Sequence, residues 1–242
     1  MNSPGLVEAQ LKLLRLAPSK EEDAVKRLSQ SLITLWTAKP EAQAWIYDEV
    51  NRRPWMFELA SNHSIQGWVK DLIGTDHIGI HSRLNMIMSV PHDEWQVAYW
   101  HQDRFYGPHN HIVSYIPLQD TGAFNGGMMV ARGSHINGLS PHCSQMSVND
   151  TGRSKWITHP KSLVEGFEKV QLHMKAGELL FFDGYLSHSA NVNRSDDVRF
   201  AITIRYTNLA DPFFVERGWQ WKDLAEESLQ ALQNKEPANV RN

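Results

Sequence analysis

The apolar residues of this chain change their spacing once, near His77, and that change limits the folds open to it. Before it the period is helical. Leu6, Leu11, Leu13, Leu14 and Leu16 predict a first helix that stops before Pro18, and Ser19-Lys20-Glu21-Glu22 fits a capping box. Ala24, Val25, Leu28, Leu32, Ile33 and Leu35 then recur at helical spacing, and Pro40 suits the first turn of a third helix. After His77 the pattern is extended. Ile78 to Val90 reads as a strand, followed by strand-like runs at 97–103, 111–118, 127–131, 169–173, 178–183 and 198–207. Asn125-Gly126-Gly127 is a hairpin signal, because Asn and Gly tolerate positive φ. Residues 132–165 carry few strand signals and read as a long loop, of the kind that is usually functional or mobile; with the N-terminal helices it is a candidate lid. Trp221 to Lys235 reads as a closing helix. Helices, then seven or eight short strands, then a helix predict a mainly β fold with a helical buttress, a β-sandwich or jelly roll. The expected organisation is one domain over 1–242, with a helical region at 1–75, a jelly-roll core at 76–207 and a helical tail at 208–242.

Composition removes several functions. Lys and Arg total 24 against 27 Asp and Glu, a net charge of −3. A general nucleic-acid or anionic-membrane binder needs a basic excess, so neither partner is expected, and a small-molecule substrate is. The oligomeric state is not legible. The one cysteine, Cys143, excludes an intramolecular disulfide framework and a Cys-rich zinc site, and suits a reducing compartment. Met1 to Gln10 lacks a basic segment followed by an apolar one, and no apolar run approaches the ~18 residues of a membrane span. The expected location is cytoplasmic. Twelve His and nine Trp are unusual, and histidine enrichment suggests metal or proton chemistry without showing it.

Two segments far apart carry the chemistry. The first is Trp100-His101-Gln102-Asp103. Side chains alternate along a strand, so His101 and Asp103 share a face and can bind one metal ion. The spacing alone is a weak signal, since about one His-x-acid arises by chance at this composition. His92-Asp93-Glu94 and His109-Asn110-His111 compete with it. The second segment, Gly177 to Ala190, runs strand, tight turn, strand, with His188 near its end. Eleven residues later comes Arg199, opening the run Arg199 to Tyr206. Phe200, Ile202 and Ile204 share one face of that run; Arg199, Ala201 and Thr203 share the other. An arginine among small residues on an apolar strand needs solvent or a counter-charge. A sheet-edge position supplies the first, and a dicarboxylic cosubstrate in a bidentate pair supplies the second. Two His and one Asp make the facial triad that suits non-haem Fe(II) and leaves three positions open. 2-Oxoglutarate can fill two of them through its keto-acid end, with Arg199 on its far carboxylate, and O2 can take the last.

These residues, with others, carry a family resemblance. Trp100 to Asp103, Ile116-Pro117-Leu118-Gln119-Asp120, Asn125-Gly126-Gly127-Met128, Gly133-Ser134-His135, Gly177-Glu178 through His188, and Arg199 follow one pattern over residues 76–207. It resembles the phytanoyl-CoA dioxygenase family of Fe(II)/2-oxoglutarate oxygenases, including its ectoine-hydroxylase branch. The resemblance implies a double-stranded β-helix, a cupin-like jelly roll. It implies that His101, Asp103 and His188 are the catalytic iron ligands and that Arg199 clamps 2-oxoglutarate. Asn85, in Ser82-Arg83-Leu84-Asn85, and Tyr115 fall where relatives place further cosubstrate contacts. The implied reaction converts 2-oxoglutarate and O2 to succinate and CO2 and hydroxylates an unactivated C–H; desaturation or ring closure would use the same site. A carboxylate at Asp103 argues against halogenation, for which relatives carry a small residue there. The chain departs from the pattern at three places. Arg132 replaces the Pro often found before Gly-Ser-His. Met86, Ile87 and Met88 follow Asn85 where relatives often carry Lys. His81 stands where ectoine hydroxylase has a substrate-contacting Gln.

The substrate is less legible. His81, Arg83, Arg104 and His109 flank the site and are the candidates for substrate contact, with His111 beside them. If several point inward, the pocket is cationic and favours a small polar metabolite, anionic ones included. His92-Asp93-Glu94, next to Pro91, reads as a loop. His135 reads as structural or as a neighbour of the ligands, and Trp219 and Trp221 as packing. Two rival classes share the fold. One is a cupin-type isomerase or epimerase using histidines as acid and base, with no need of Arg199. The other is a non-catalytic jelly-roll sensor that binds metal and makes no succinate.

Overall fold

The structure is a computed structural model that describes residues 21–82, 84–106, 111–140, 143–146, 155–216 and 218. The expected first helix, Ser19 and Lys20 of the capping box that follows it, the closing helix at 221–235, Arg83, His109, Trp219 and Trp221 lie outside the described residues.

The front of the chain is helical, as its periodicity predicts. Helix α1 (Glu21–Ala38) carries the 24–35 repeat and buries Leu32 and Trp36. Helix α2 (Ala42–Asn51) starts just past Pro40. Two shorter helices that the sequence did not separate follow, α3 (Pro54–Ala60) with Pro in its first turn and α4 (His63–Ile73). Asn62 caps α4, its Oδ1 accepting from the N–H groups of Ser64 and Ile65. No helix among the described residues is long and apolar enough to cross a membrane.

The rest is a double-stranded β-helix built from two antiparallel sheets. The strands are β1 (Ile78–Ile80), β2 (Asn85–Ser89), β3 (His111–Pro117), β4 (Met128–Ala131), β5 (Cys143–Met146), β6 (Lys155–Thr158), β7 (Lys169–Gln171), β8 (Leu180–Asp183), β9 (His188–Ala190) and β10 (Arg199–Asn208), followed by a short helix α5 (Pro212–Glu216). The five-stranded sheet has the order β1-β10-β3-β8, with β2 also on β10, and the three-stranded sheet has the order β7-β4-β9. The chain passes from the larger sheet to the smaller between β3 and β4, returns between β7 and β8, crosses again between β8 and β9, and returns between β9 and β10, which is how the roll closes.

Strand β10 organises the core. Phe200, Ile202, Ile204 and Tyr206 face outward, where Met56, Leu59, Ile65 and Val69 of the helices cover them. Each such buried side chain contributes about 1.5–3 kcal/mol. Ala201, on the other face, packs with Val113, Tyr115, Met128 and Phe182 between the sheets. The Tyr206 hydroxyl donates to the Ala60 carbonyl at 3.0 Å, fastening the helical layer to the sheet.

Four expectations need correction. The strand over Ile78 to Val90 is two strands. Both follow the same edge of β10, β1 opposite Tyr206 to Asn208 and β2 opposite Arg199 to Thr203, and the intervening His81 N–H still donates to the Arg205 carbonyl at 2.9 Å. The Asn125-Gly126-Gly127 turn joins no hairpin, because β3 and β4 lie in different sheets. It tightens the crossing loop instead: Asn125 Oδ1 accepts from Gly122 N–H, its Nδ2 donates to the Asp120 carbonyl, and Gly126 has φ +78°. The run 97–103 forms no strand, only a single bridge at His101 between 3₁₀ turns at Glu94–Gln96 and Asp103–Tyr106. The 132–165 segment is not a plain loop; it holds the β5–β6 hairpin and 3₁₀ turns at Ser134–Asn137 and Lys161–Val164.

The β8–β9 turn is tight because of Gly184. A Cβ there would meet Cε1 of the buried His111 ring at 2.3 Å. Gly184→Ala is therefore expected to lower stability by about 1–3 kcal/mol, the usual cost of overpacking, read from the urea midpoint. An unchanged midpoint would show that the His111 ring can yield.

Candidate active site

The site begins with a backbone pairing. His101 and His188 exchange N–H···O bonds, both 3.0 Å, in one antiparallel bridge. Residues directly opposite in such a bridge project to the same face, and the two imidazole centroids stand 4.2 Å apart. Asp103 then reaches them through the 3₁₀ turn rather than through strand alternation, with Oδ1 3.8 Å from His101 Nε2. One ligand atom from each of His101, Asp103 and His188 lies within 4.8 Å of the others, and all three residues sit inside the protein. No other group of three or more His, Cys, Asp or Glu among the described residues is close enough to hold a metal ion.

Both imidazoles are oriented as ligands. Nδ1 of His101 is 2.7 Å from the Tyr99 carbonyl, and Nδ1 of His188 is 2.9 Å from the Leu186 carbonyl. A carbonyl only accepts, so each Nδ1 carries the proton and each Nε2 keeps its lone pair for the cluster. Burial holds His101 down to about 4, with neighbouring His188 adding to the effect, and burial also lowers His188. Both are neutral at pH 7, the form that binds metal. Arg205 and the two imidazoles outweigh burial at Asp103 and keep its carboxyl below the usual carboxylate range.

The residues between and beside these three fix them in place. Gln102 is buried, and its amide donates to the carbonyls of Gly138 (2.9 Å) and Tyr185 (2.6 Å) while its Oε1 accepts from Ser140 N–H (2.8 Å). Ser187, next to His188, donates its N–H to the Ser134 hydroxyl at 2.8 Å, and its own hydroxyl lies 3.0 Å from Nε2 of His159. His159 N–H in turn donates to the Trp100 carbonyl at 2.8 Å. The Gly-Ser-His motif thus works through Ser134, while His135 is exposed. The Arg132 departure is explained as well. Its N–H donates to the Glu168 carbonyl at 2.9 Å, a bond Pro cannot make, and its guanidinium pairs with the Glu168 carboxylate at 3.0 Å.

Arg199 is buried at 3% exposure, so it is not a solvated sheet-edge residue. Its Nη1 donates to the Tyr115 hydroxyl at 3.2 Å and its Nη2 to the Gly126 carbonyl at 2.7 Å, whereas Nε has no partner among the described residues. No carboxylate among the described residues pairs with it. On the same strand face, the buried Thr203 hydroxyl also has no partner. Asn85 and Tyr115 both sit opposite Thr203 in the register, one on each side, and Asn85 Oδ1 accepts from the Tyr47 hydroxyl of α2 at 2.5 Å.

The remaining candidates are placed around this group. His92 is exposed with φ 56°, 3.7 Å from Asp196, as a loop residue. Buried Arg104 donates from Nε to the Tyr185 hydroxyl at 3.3 Å. His81 extends the β1 ladder opposite Arg205 and is half-buried. Met86 and Met88, where relatives often carry Lys, belong to the core under the helices. Sequence reasoning passed over Arg205, whose Nη2 is 3.0 Å from Asp103 Oδ2. The alternation that grouped Arg199, Ala201 and Thr203 places Arg205 on the same face one step further along.

Fold and cluster define a double-stranded β-helix with an internal His-Asp-His group and a buried arginine on the inner face of β10. The model of the phytanoyl-CoA dioxygenase (PhyH) family matches residues 20–201, and the chain belongs to that family. A curated relative, "Probable phytanoyl-CoA dioxygenase" of Caenorhabditis elegans, is 25% identical over 162 residues, covering 64% of this chain and 51% of the relative. The chain thus spans about half the length of that relative. Among solved structures, the non-heme monooxygenase ThoJ in its apo form is similar with TM-score 0.57 and 19% identity, covering 84% of this chain and 71% of that one. The epimerase SnoN in complex with Fe3+, alpha ketoglutarate and nogalamycin RO is similar with TM-score 0.52 and 22% identity, covering 67% and 62%. At these identities the structures share the fold with this chain.

The histidines set an acid limit for the metal-free protein. The unfolded chain protonates His101 near 6.5 and the folded chain only near 4, so folding loses stability as pH falls through that interval. The metal-free thermal midpoint is expected to drop steadily between those pH values, by less in His101→Asn. Equal slopes for the two proteins would remove His101 as the cause.

Proposed function

We propose that this chain is a non-haem Fe(II)- and 2-oxoglutarate-dependent dioxygenase that hydroxylates an unactivated C–H of a small polar metabolite, anionic ones included. The observation that carries the reading is a buried arginine with no carboxylate, set on the same interior as a His-Asp-His cluster. An uncompensated buried cation is costly, and a dicarboxylate ligand removes that cost. 2-Oxoglutarate is the dicarboxylate that also has a keto-acid end for a metal. The donor set fits iron: two imidazole Nε2 atoms and one carboxylate oxygen hold three positions and leave three.

Iron, when bound, supplies the oxidative chemistry in which 2-oxoglutarate and O2 become succinate and CO2 and the substrate carbon gains a hydroxyl. The protein's part is binding, orientation and exclusion of water. Nε2 of His101, Nε2 of His188 and Oδ1 of Asp103 hold the metal. Arg199, steadied by Tyr115 and the Gly126 carbonyl, takes the far carboxylate of 2-oxoglutarate, and its partnerless Nε supplies a further donor. Thr203 and Asn85 line the same face and offer a hydroxyl and an amide to the cosubstrate. Phe182, with its ring 5.0 Å from that of His188, keeps the wall beside the metal dry. Arg104 and His81 stay as proposed substrate contacts on the flanks.

Anaerobic titration with Fe(II) and 2-oxoglutarate tests this reading. Chelated 2-oxoglutarate gives a visible metal-to-ligand charge-transfer band, and with O2 and the right substrate the product gains one oxygen atom as succinate forms. Metal binding without the band would favour the cupin-type isomerase or the sensor. Asp103→Ala is expected to abolish Fe(II)-dependent succinate formation, and retained activity would remove Asp103 from the ligand set. Arg199→Ala is expected to raise the KM for 2-oxoglutarate roughly ten- to hundredfold, as loss of hydrogen bonds to a charged group implies. An unchanged KM would remove Arg199 from the cosubstrate site.

A further inference from the structure

Arg205 lies beneath the cluster in a position that acts on how Asp103 can coordinate. The two oxygens of Asp103 are divided: Oδ1 faces His101 Nε2 at 3.8 Å, and Oδ2 is 3.0 Å from Arg205 Nη2. Both residues are buried, Asp103 at 3% and Arg205 at 7% exposure, so water does not compete strongly for Oδ2. The backbone that carries the guanidinium is also fixed on both sides. Arg205 sits inside β10, paired with Val113 of β3 on one side, and its carbonyl accepts from His81 N–H at 2.9 Å on the other.

A carboxylate can bind a metal through one oxygen or through both. If Asp103 used both, the three protein ligands would occupy four positions and leave two. 2-Oxoglutarate needs two and O2 a third. An oxygen that accepts a short charge-assisted hydrogen bond from a fixed guanidinium is a poor second ligand, since it would have to leave that bond. We propose that Arg205 is a positioning residue that restricts Asp103 to one-oxygen coordination and so keeps the third position open. The proposal rests on the iron and 2-oxoglutarate reading above. It gives Arg205 a different task from Arg199 on the same strand face: Arg199 meets the cosubstrate, and Arg205 acts only through Asp103.

The test reads coordination directly. Difference infrared spectra of the Zn(II)-loaded minus the metal-free full chain give the separation between the two stretching bands of ligated carboxylate, wide for one-oxygen and narrow for two-oxygen binding. Bands missing from Asp103→Ala belong to Asp103. The wild type is expected to show the wide separation. Arg205→Met is expected to narrow it and to raise the apparent Kd for 2-oxoglutarate at least tenfold in the anaerobic Fe(II) titration, with Zn(II) still bound. Arg205→Lys, which keeps a cation near Oδ2, is expected to recover part of the wide separation. A narrow separation in the wild type overturns the proposal, as does an Arg205→Met protein with unchanged separation and Kd. If Arg205→Met does not fold, the wild-type spectrum decides alone. A wild type that gives no charge-transfer band with Fe(II) and 2-oxoglutarate would instead sink the underlying functional reading.

Discussion

Two backbone hydrogen bonds between His101 and His188 hold together parts of the chain that are 87 positions apart. Everything at the site is referred to that bridge. It aligns the imidazoles, sets where the turn to Asp103 starts, and adds the 100–101 segment beside β9 at the edge of the smaller sheet. Strand β9 is only three residues long, so its position depends on partners on both sides: β4 through Met128 to Val130, and the segment carrying His101. The bridge therefore couples sheet integrity to the convergence of the three side chains. A rigid backbone under the first ligands is what a reaction sensitive to small displacements requires.

Charge is the second constraint. At the site the roll encloses Arg199, Arg205, Asp103 and the imidazoles of His101 and His188, which burial holds neutral. Arg205 and Asp103 compensate each other. Arg199 does not have that compensation within the described residues and is served only by a phenol and a carbonyl. On the proposed reading a dianion would supply the counter-charge, and part of its binding energy would come from relieving a cost already present in the folded chain, with little reorganisation.

The two faces of β10 were legible because a strand in the middle of a sheet obeys period two over its full ten residues, and Phe200, Ile202 and Ile204 did pack under the helices. The face of Arg199 was legible for the same reason, whereas His188 was singled out by its strand-turn-strand segment and the family pattern. What was lost was lost to long-range effects. Asn125-Gly126-Gly127 has the local chemistry of a tight turn, but only the three-dimensional path shows that it joins different sheets. His101 and Asp103 were placed together for the wrong reason, since packing forced a 3₁₀ turn on residues whose alternation suggested a strand. The β5–β6 hairpin carries Ser, Gln and Lys among its eight residues and gives no apolar alternation to detect. The roles of Gln102, Ser187 and His159 depend on partners between 28 and 83 positions away, and no local pattern encodes those.

Ser187 touches both ends of the long excursion between β4 and β7, Ser134 at its start and His159 near its end. The two ends are thereby held at one point behind His188, independent of how many residues run between them. Lengthening a closed loop adds only slowly to its entropic cost, about 0.6 kcal/mol per doubling. Evolution can therefore cut, extend or replace the middle of the excursion while the reaction centre stays where it is. Such a stitched insertion is a module: its middle can change without the frame around His188 having to be rebuilt.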